Sequence, residues 1–127
     1  MQLYKFNGSI MLIGDNTRLR TPRHFRREER DAIKEYLRNQ VEQRHGEFGD
    51  KPFTAPDFVG FKNRDWTGTP LQVLYERYME VYNNNHDVAY DRAGKAAGYL
   101  FKAALAESEF TYHTRRGNRW RKYRLVR

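Results

Sequence analysis

Three consecutive asparagines, Asn83-Asn84-Asn85, separate two stretches whose apolar residues recur at helical spacing. Before them, Leu71, Leu74, Tyr75, Tyr78 and Val81 or Tyr82 share one face of a helix over 70–82. Thr69-Pro70 gives that helix its start signal, a capping hydroxyl followed by proline at the first helical position. After the asparagines, Tyr90, Ala93, Ala97, Leu100, Phe101 and Ala104 form a stripe about 100° wide on a second helix spanning roughly 88–107. Gly94 and Gly98 interrupt it, each costing about 1 kcal/mol relative to alanine, which close packing or close approach of a ligand would explain. Arg92, Lys95, Tyr99 and Lys102 lie opposite the alanine stripe, with Asp91 at the margin of that face.

The segment after the second helix reads TRRGNRWRKYR over 114–124, with six Lys or Arg among its eleven residues and no acid. Stretches 110–116 and 119–127 flank Gly117-Asn118. A two-residue hairpin loop there pairs Phe110 with Leu125, Tyr112 with Tyr123, Thr114 with Arg121 and Arg116 with Arg119 on one side of a ribbon. The other side pairs Thr111 with Arg124, His113 with Lys122 and Arg115 with Trp120. Apolar pairs then gather at the base and cations at the tip, a gradient that a disordered tail has no reason to show. Like charges facing each other destabilise a free hairpin, so Arg116 beside Arg119 makes sense where something negative sits between them.

Upstream, Tyr4-Lys5-Phe6, Asn7-Gly8 and 9–13 predict a β-hairpin, since Asn-Gly suits the positive φ of a type I′ turn. Gly14-Asp15-Asn16 predicts a turn and 17–20 a third short strand. Thr21-Pro22 predicts the start of a long helix over 22–45, with Phe25, Ala32, Ile33, Tyr36, Leu37 and Val41 inward and Gly46 as its stop. Residues 47–56 read as a connector, and 57–62 (DFVGFK) as one short helical turn.

Charge distribution points to a polyanion. Residues 113–127 carry seven Lys/Arg and no acid, against a whole-chain net of +8. There is no cysteine, hence no disulfide or thiolate metal site. No apolar run approaches the ~20 residues of a membrane span, and the N-terminus MQLYKFNGSIMLIGD lacks the form of a signal peptide. A cytoplasmic protein with no membrane partner and no cofactor is expected.

Helix, turn, helix and basic hairpin is the order of a winged helix-turn-helix. The expected fold class is therefore α+β: a winged helix over 57–127, with residues 1–56 adding a β-hairpin and long helix to the same unit or forming a small subdomain. Arg92, Lys95, Tyr99 and Lys102 would face the major groove of duplex DNA. Arg115, Arg116, Arg119, Arg121, Lys122 and Arg124 would lie along the backbone or minor groove. Thr69 and the backbone amides that follow it are a candidate phosphate site.

The LYERY helix over 74–78, the glycine-containing second helix and the Arg-rich hairpin ending RKYRLV give 67–126 a resemblance to the C-terminal winged-helix module of the primase-helicases of phages and plasmids. The resemblance implies a role in placing a replication machine on DNA, and a phage or mobile-element origin. It covers under half the chain, and the G-x-x-x-x-G-K-[ST] nucleotide loop of a motor is missing. Three other functions compete. Tyr99, Tyr112, Trp120 and Tyr123 would suit base stacking in an RNA or single-strand binder. Residues 1–56 would suit a protein partner or a homodimer. Asp57, Asp65, Glu76, Glu80, Asp87 and Asp91 would suit a metal-dependent nuclease, although no paired carboxylates mark a cleft.

Overall fold

The computed structural model describes residues 2–6, 9–13, 22–49, 51–60 and 64–126. Along them run β1 (Gln2–Phe6), β2 (Ser9–Ile13), α1 (Arg27–Gln43), α2 (His45–Phe48), β3 (Phe53–Thr54), α3 (Pro56–Val59), α4 (Gln72–Val81), α5 (His86–Ala106), β4 (Tyr112–Arg115) and β5 (Lys122–Leu125). The fold is α+β. Its five-stranded sheet has the order β1-β2-β4-β5-β3. β1 and β2 pair antiparallel with Phe6 opposite Ser9, as the Asn7-Gly8 pair predicts, while the loop itself lies outside the described residues. β2 then runs parallel to β4, so the first hairpin extends the sheet at the edge of the last. The turn at 14–16, the strand expected over 17–20 and the capping Thr21 also lie outside the described residues.

The long helix begins later than Thr21-Pro22 predicts. Residues 22–26 are not helical; His24 takes φ 73°, and its carbonyl accepts from Arg77 Nη1 at 2.6 Å. The helix is capped instead at Arg26, whose amide donates to the Glu29 carboxylate at 2.9 Å. Arg77 Nη2 reaches the same carboxylate at 2.8 Å and so ties α1 to α4. Phe25 is buried ahead of the helix, and Ile33, Leu37 and Val41 are buried along it. Ala32, expected inward, is exposed, because it falls off the four-residue spacing of those three.

Nor does Gly46 stop the chain. It sits within α2, and the reversal comes at Gly49, where φ is 57°. Arg44 holds this extra turn: its guanidinium bonds Glu47 at 2.9 and 3.0 Å and covers the Phe48 and Phe58 rings at 4.7 and 4.6 Å. The connector read over 47–56 therefore contains the end of α2 and a strand. Phe53 pairs with Tyr123 of β5, a two-residue strand too short to leave an alternating pattern. The helical turn expected over 57–62 is found one residue earlier, as α3.

α4 starts at Gln72, without a side-chain cap. Thr69 does not cap it: its hydroxyl donates to the Trp66 carbonyl at 2.7 Å, closing a turn that buries Leu71. The same bond occupies the hydroxyl expected to hold phosphate. At the end of α4, Asn83 and Asn84 take φ 52° and 61°, left-handed conformations that asparagine tolerates better than most residues. Asn85 then caps α5, its side-chain oxygen accepting from the Val88 amide at 3.2 Å. Packed mainly against α1 and α4, α5 buries Ala89, Ala93, Ala96, Ala97 and Leu100 on one side and Phe101, Ala104, Leu105 and Ala106 beyond them. That arc is wider than the predicted stripe because α1 and α4 cover it from two directions, while α3 and the sheet cover it at Phe101. Lys34 and Arg38 of α1 meet Glu107 just past its end, at 2.9 and 3.5 Å.

The aromatic residues of β3, α3, α5 and the last hairpin form one cluster. Phe53 stacks on Tyr123 at 6.0 Å, and Phe101 meets Phe58 at 5.6 Å and Tyr123 at 5.4 Å. Tyr112 and Tyr123 are buried, and Tyr112 Oη lies 2.8 Å from His45 Nε2. Burial pushes both phenols above their ordinary value of about 10. Above that pH the unfolded chain loses these protons while the folded chain keeps them, so stability falls as pH rises. Denaturant unfolding at stepped pH should show this alkaline loss, and Tyr123→Phe should weaken it.

Candidate functional site

The last hairpin is shorter and slipped by two residues from the register that Gly117-Asn118 predicts. Tyr112 faces Leu125, Thr114 faces Tyr123 and Arg115 faces Lys122. An even slip preserves the faces. Tyr112, Thr114, Tyr123 and Leu125 point into the core, while Arg115, Lys122 and Arg124 are exposed on the other side. The cause lies in the core: Tyr123 must sit beside Phe53 and Phe101, and that sets the pairing. Phe110, expected opposite Leu125, is instead 41% exposed and meets His45 edge-on at 4.6 Å.

Residues 116–121 consequently form a loop rather than a two-residue turn, and Arg116 and Arg119 are not a cross-strand pair. The loop is drawn back on itself. Thr114 Oγ1 donates to the Lys122 carbonyl at 3.1 Å and accepts from Arg121 Nη1 at 3.4 Å. Gly117 is required there, since a Cβ would collide with the Trp120 carbonyl oxygen. Arg119 lies over the Trp120 ring at 5.0 Å. The like-charge confrontation moves to Arg115 and Lys122, directly opposite each other. His113 shares their face, its pKa pushed down by burial and by Arg124 and Arg115.

Between this loop, α5 and α3 runs an open groove of about 690 Å³. It gathers five of the ten residues singled out from sequence: Lys95, Tyr99 and Lys102 from α5, and Arg119 and Arg121 from the loop. The other five lie elsewhere. Arg115, Lys122 and Arg124 line a separate recess of about 240 Å³ on the outer face of the hairpin, with His113 and Pro52. Arg92 lies over Tyr82 at 6.0 Å, beyond the groove, and Arg116 is exposed near the loop's start. Lys95 pairs with Asp91 at 3.2 Å, which lowers the net charge at the groove's acidic end.

Two groove residues escape sequence reading as site residues. Trp120 belongs to the groove and is 37% exposed; its indole was noted above as a stacking group, not as part of the basic site. Arg64 stands in no periodic pattern, and nothing in the sequence marks it. Its guanidinium lies 3.6 Å over Tyr90 and 4.8 Å from Trp66, and Nη2 donates to the Tyr90 carbonyl at 2.6 Å. The buried Nε has no partner among the described residues.

The two glycines of α5 now separate. A Cβ on Gly94 would lie 2.5 Å from Arg64 Nη1, so that glycine makes room for the arginine. A Cβ on Gly98 would meet nothing within 4 Å. Packing gives no reason for the helix to bear glycine's cost of about 1 kcal/mol there; the residue leaves the groove floor open.

Among the described residues, no three of His, Cys, Asp and Glu are grouped to hold a metal ion, and no helix is long and apolar enough to cross a membrane. Compared with family models, curated proteins and solved structures, the chain matches none.

Proposed function

We propose that the chain is a non-catalytic nucleic-acid-binding protein of winged-helix type, with duplex DNA as its main ligand. The observation that carries this reading is the meeting of Lys95, Tyr99 and Lys102 with Arg119 and Arg121 around one groove. Two separate segments, a helix face and a hairpin loop, thereby line the same groove. Such a concentration of cations with few acids fits a chain of phosphates better than a neutral surface.

The order of elements supports the winged-helix part. α1, β3, α4, α5 and the β4–β5 hairpin come in that order, with the single-turn helices α2 and α3 on either side of β3, and β3 pairs with β5, so the short strand joins the hairpin as a third member of its sheet. α5 would then be the recognition helix and 116–121 the tip of the wing. With few base-reading side chains on an alanine-rich helix, backbone contacts dominate and sequence selectivity is modest. Arg115, Lys122 and Arg124, on the opposite face, raise the positive potential that draws the ligand in. The kinship with primase-helicase modules is part of this proposal and extends to DNA placement, not to a motor.

Competition separates the ligand classes. Labelled duplex DNA held by the protein at moderate salt should be displaced by unlabelled duplex more effectively than by structured RNA or plain single strands at equal phosphate. Displacement by RNA alone would favour the single-strand and RNA reading, and no retention of any nucleic acid would end the proposal.

A further inference from the structure

The groove has a feature that paired DNA does not use. A duplex presents base edges in its grooves and keeps the faces of its bases stacked. The groove beside α5 has room and aromatic lining for a face. A Cβ at Gly98 would meet nothing within 4 Å, Ala55, Pro56 and Val59 are among the apolar lining, and Tyr99 and Trp120 add aromatic rings. Lys102, Arg119 and Arg121 line the same groove. Its volume of about 690 Å³ falls within the range of small-molecule pockets, about 300–1,000 Å³. Arg64, Asp87 and Asp91 also line it and Lys95 is paired to Asp91, so that five cations face two carboxylates around the groove.

We propose that this groove takes an unpaired nucleotide of the bound nucleic acid, its base stacked against Tyr99 or Trp120 over Gly98 and its phosphates held by Lys102, Arg119 and Arg121. The proposal rests on the nucleic-acid reading above and narrows it: the preferred ligand is a duplex that carries a single-stranded end. Every base has a π face, so the recess accepts any base. An acidic peptide would satisfy the cations but leave the aromatic recess unfilled.

Gly98→Leu tests this, because Gly98 lines the groove and a Cβ there meets nothing within 4 Å. Binding is measured to a blunt duplex and to the same duplex with a short oligothymidine tail, following tryptophan fluorescence and affinity. Stacking of one base on an aromatic residue should give the tailed duplex an advantage of about tenfold in the natural chain. Gly98→Leu should bring the ratio of tailed to blunt affinity, both measured in that variant, down to about one, and Gly98→Ala, which adds a single methyl, should keep most of the advantage. Thermal unfolding of both variants checks that the fold is intact; replacing a helical glycine should not lower the midpoint. Equal affinity of the natural chain for blunt and tailed duplexes overturns the inference and leaves duplex binding standing. Retention of the preference by a folded Gly98→Leu, or displacement of the tail by polyglutamate as readily as by oligothymidine, also overturns it. Failure to bind either duplex overturns both readings together.

Discussion

Phe101→Ala should destabilise the protein by about 3–5 kcal/mol, a large share of the roughly 5–15 kcal/mol that holds a domain of this size together. Phe101 is fully buried and touches rings from three elements: Phe58 of α3, Phe53 of β3 and Tyr123 of β5, at 5.6, 6.3 and 5.4 Å. Removing it opens a cavity at the point where α5, the short strand β3 and the base of the hairpin meet. Rigid aromatic neighbours cannot collapse into such a space, which places the cost in the upper part of the range for large-to-small substitutions. Denaturant unfolding measures it. A loss under about 1 kcal/mol would mean that the hairpin is not anchored through this cluster.

That anchor explains which parts of the molecule were legible in the sequence. The second helix, the asparagine turn and the inward faces of both hairpin strands follow from local spacing, and local spacing is all that periodicity reports. The register of the last hairpin was not legible. Gly117-Asn118 advertises a tight turn, yet Tyr123 is drawn to Phe53 and Phe101, and tertiary packing outweighs turn preference by two residues. The start of α1 failed for a similar reason: Thr21-Pro22 carries a start signal, but Arg77, fifty-odd positions downstream, holds His24 in a turn before the helix begins.

The site was legible in part and for one reason. Cations on one helix face can be counted on a wheel, and a basic segment can be counted directly; neither count shows which cations converge. Lys95, Tyr99 and Lys102 meet Arg119 and Arg121 because the hairpin loop folds back towards α5. Arg115, Lys122 and Arg124 turn away because strand alternation sends them to the opposite face. Arg64 could not have been found from sequence, since its position depends on Tyr90 and on the missing side chain at Gly94.

Duplex affinity should be strongly salt-dependent. With about four to six phosphates engaged, log K against log[salt] falls with a slope of about −4 to −5, and affinity drops by about 10²–10³ between roughly 50 and 200 mM salt. The size of this effect follows from counterion release: each phosphate neutralised by a lysine or arginine frees condensed cations from the DNA, and added salt opposes that release. Contacts made by Tyr99 or Trp120 with bases contribute affinity without contributing to the slope. A slope near zero, with affinity intact, would show that the cations around the groove are bystanders.

In the proposed function, the cations of the 116–121 loop are held in place by the buried base of the hairpin and act together on a phosphate backbone. Salt-titrated duplex binding by the natural chain and by the Arg116→Ala/Arg119→Ala double variant, side by side, tests it most directly. The double variant should unfold at the same midpoint as the natural chain and bind with a slope flatter by about one to two. An identical slope in a folded double variant would contradict it.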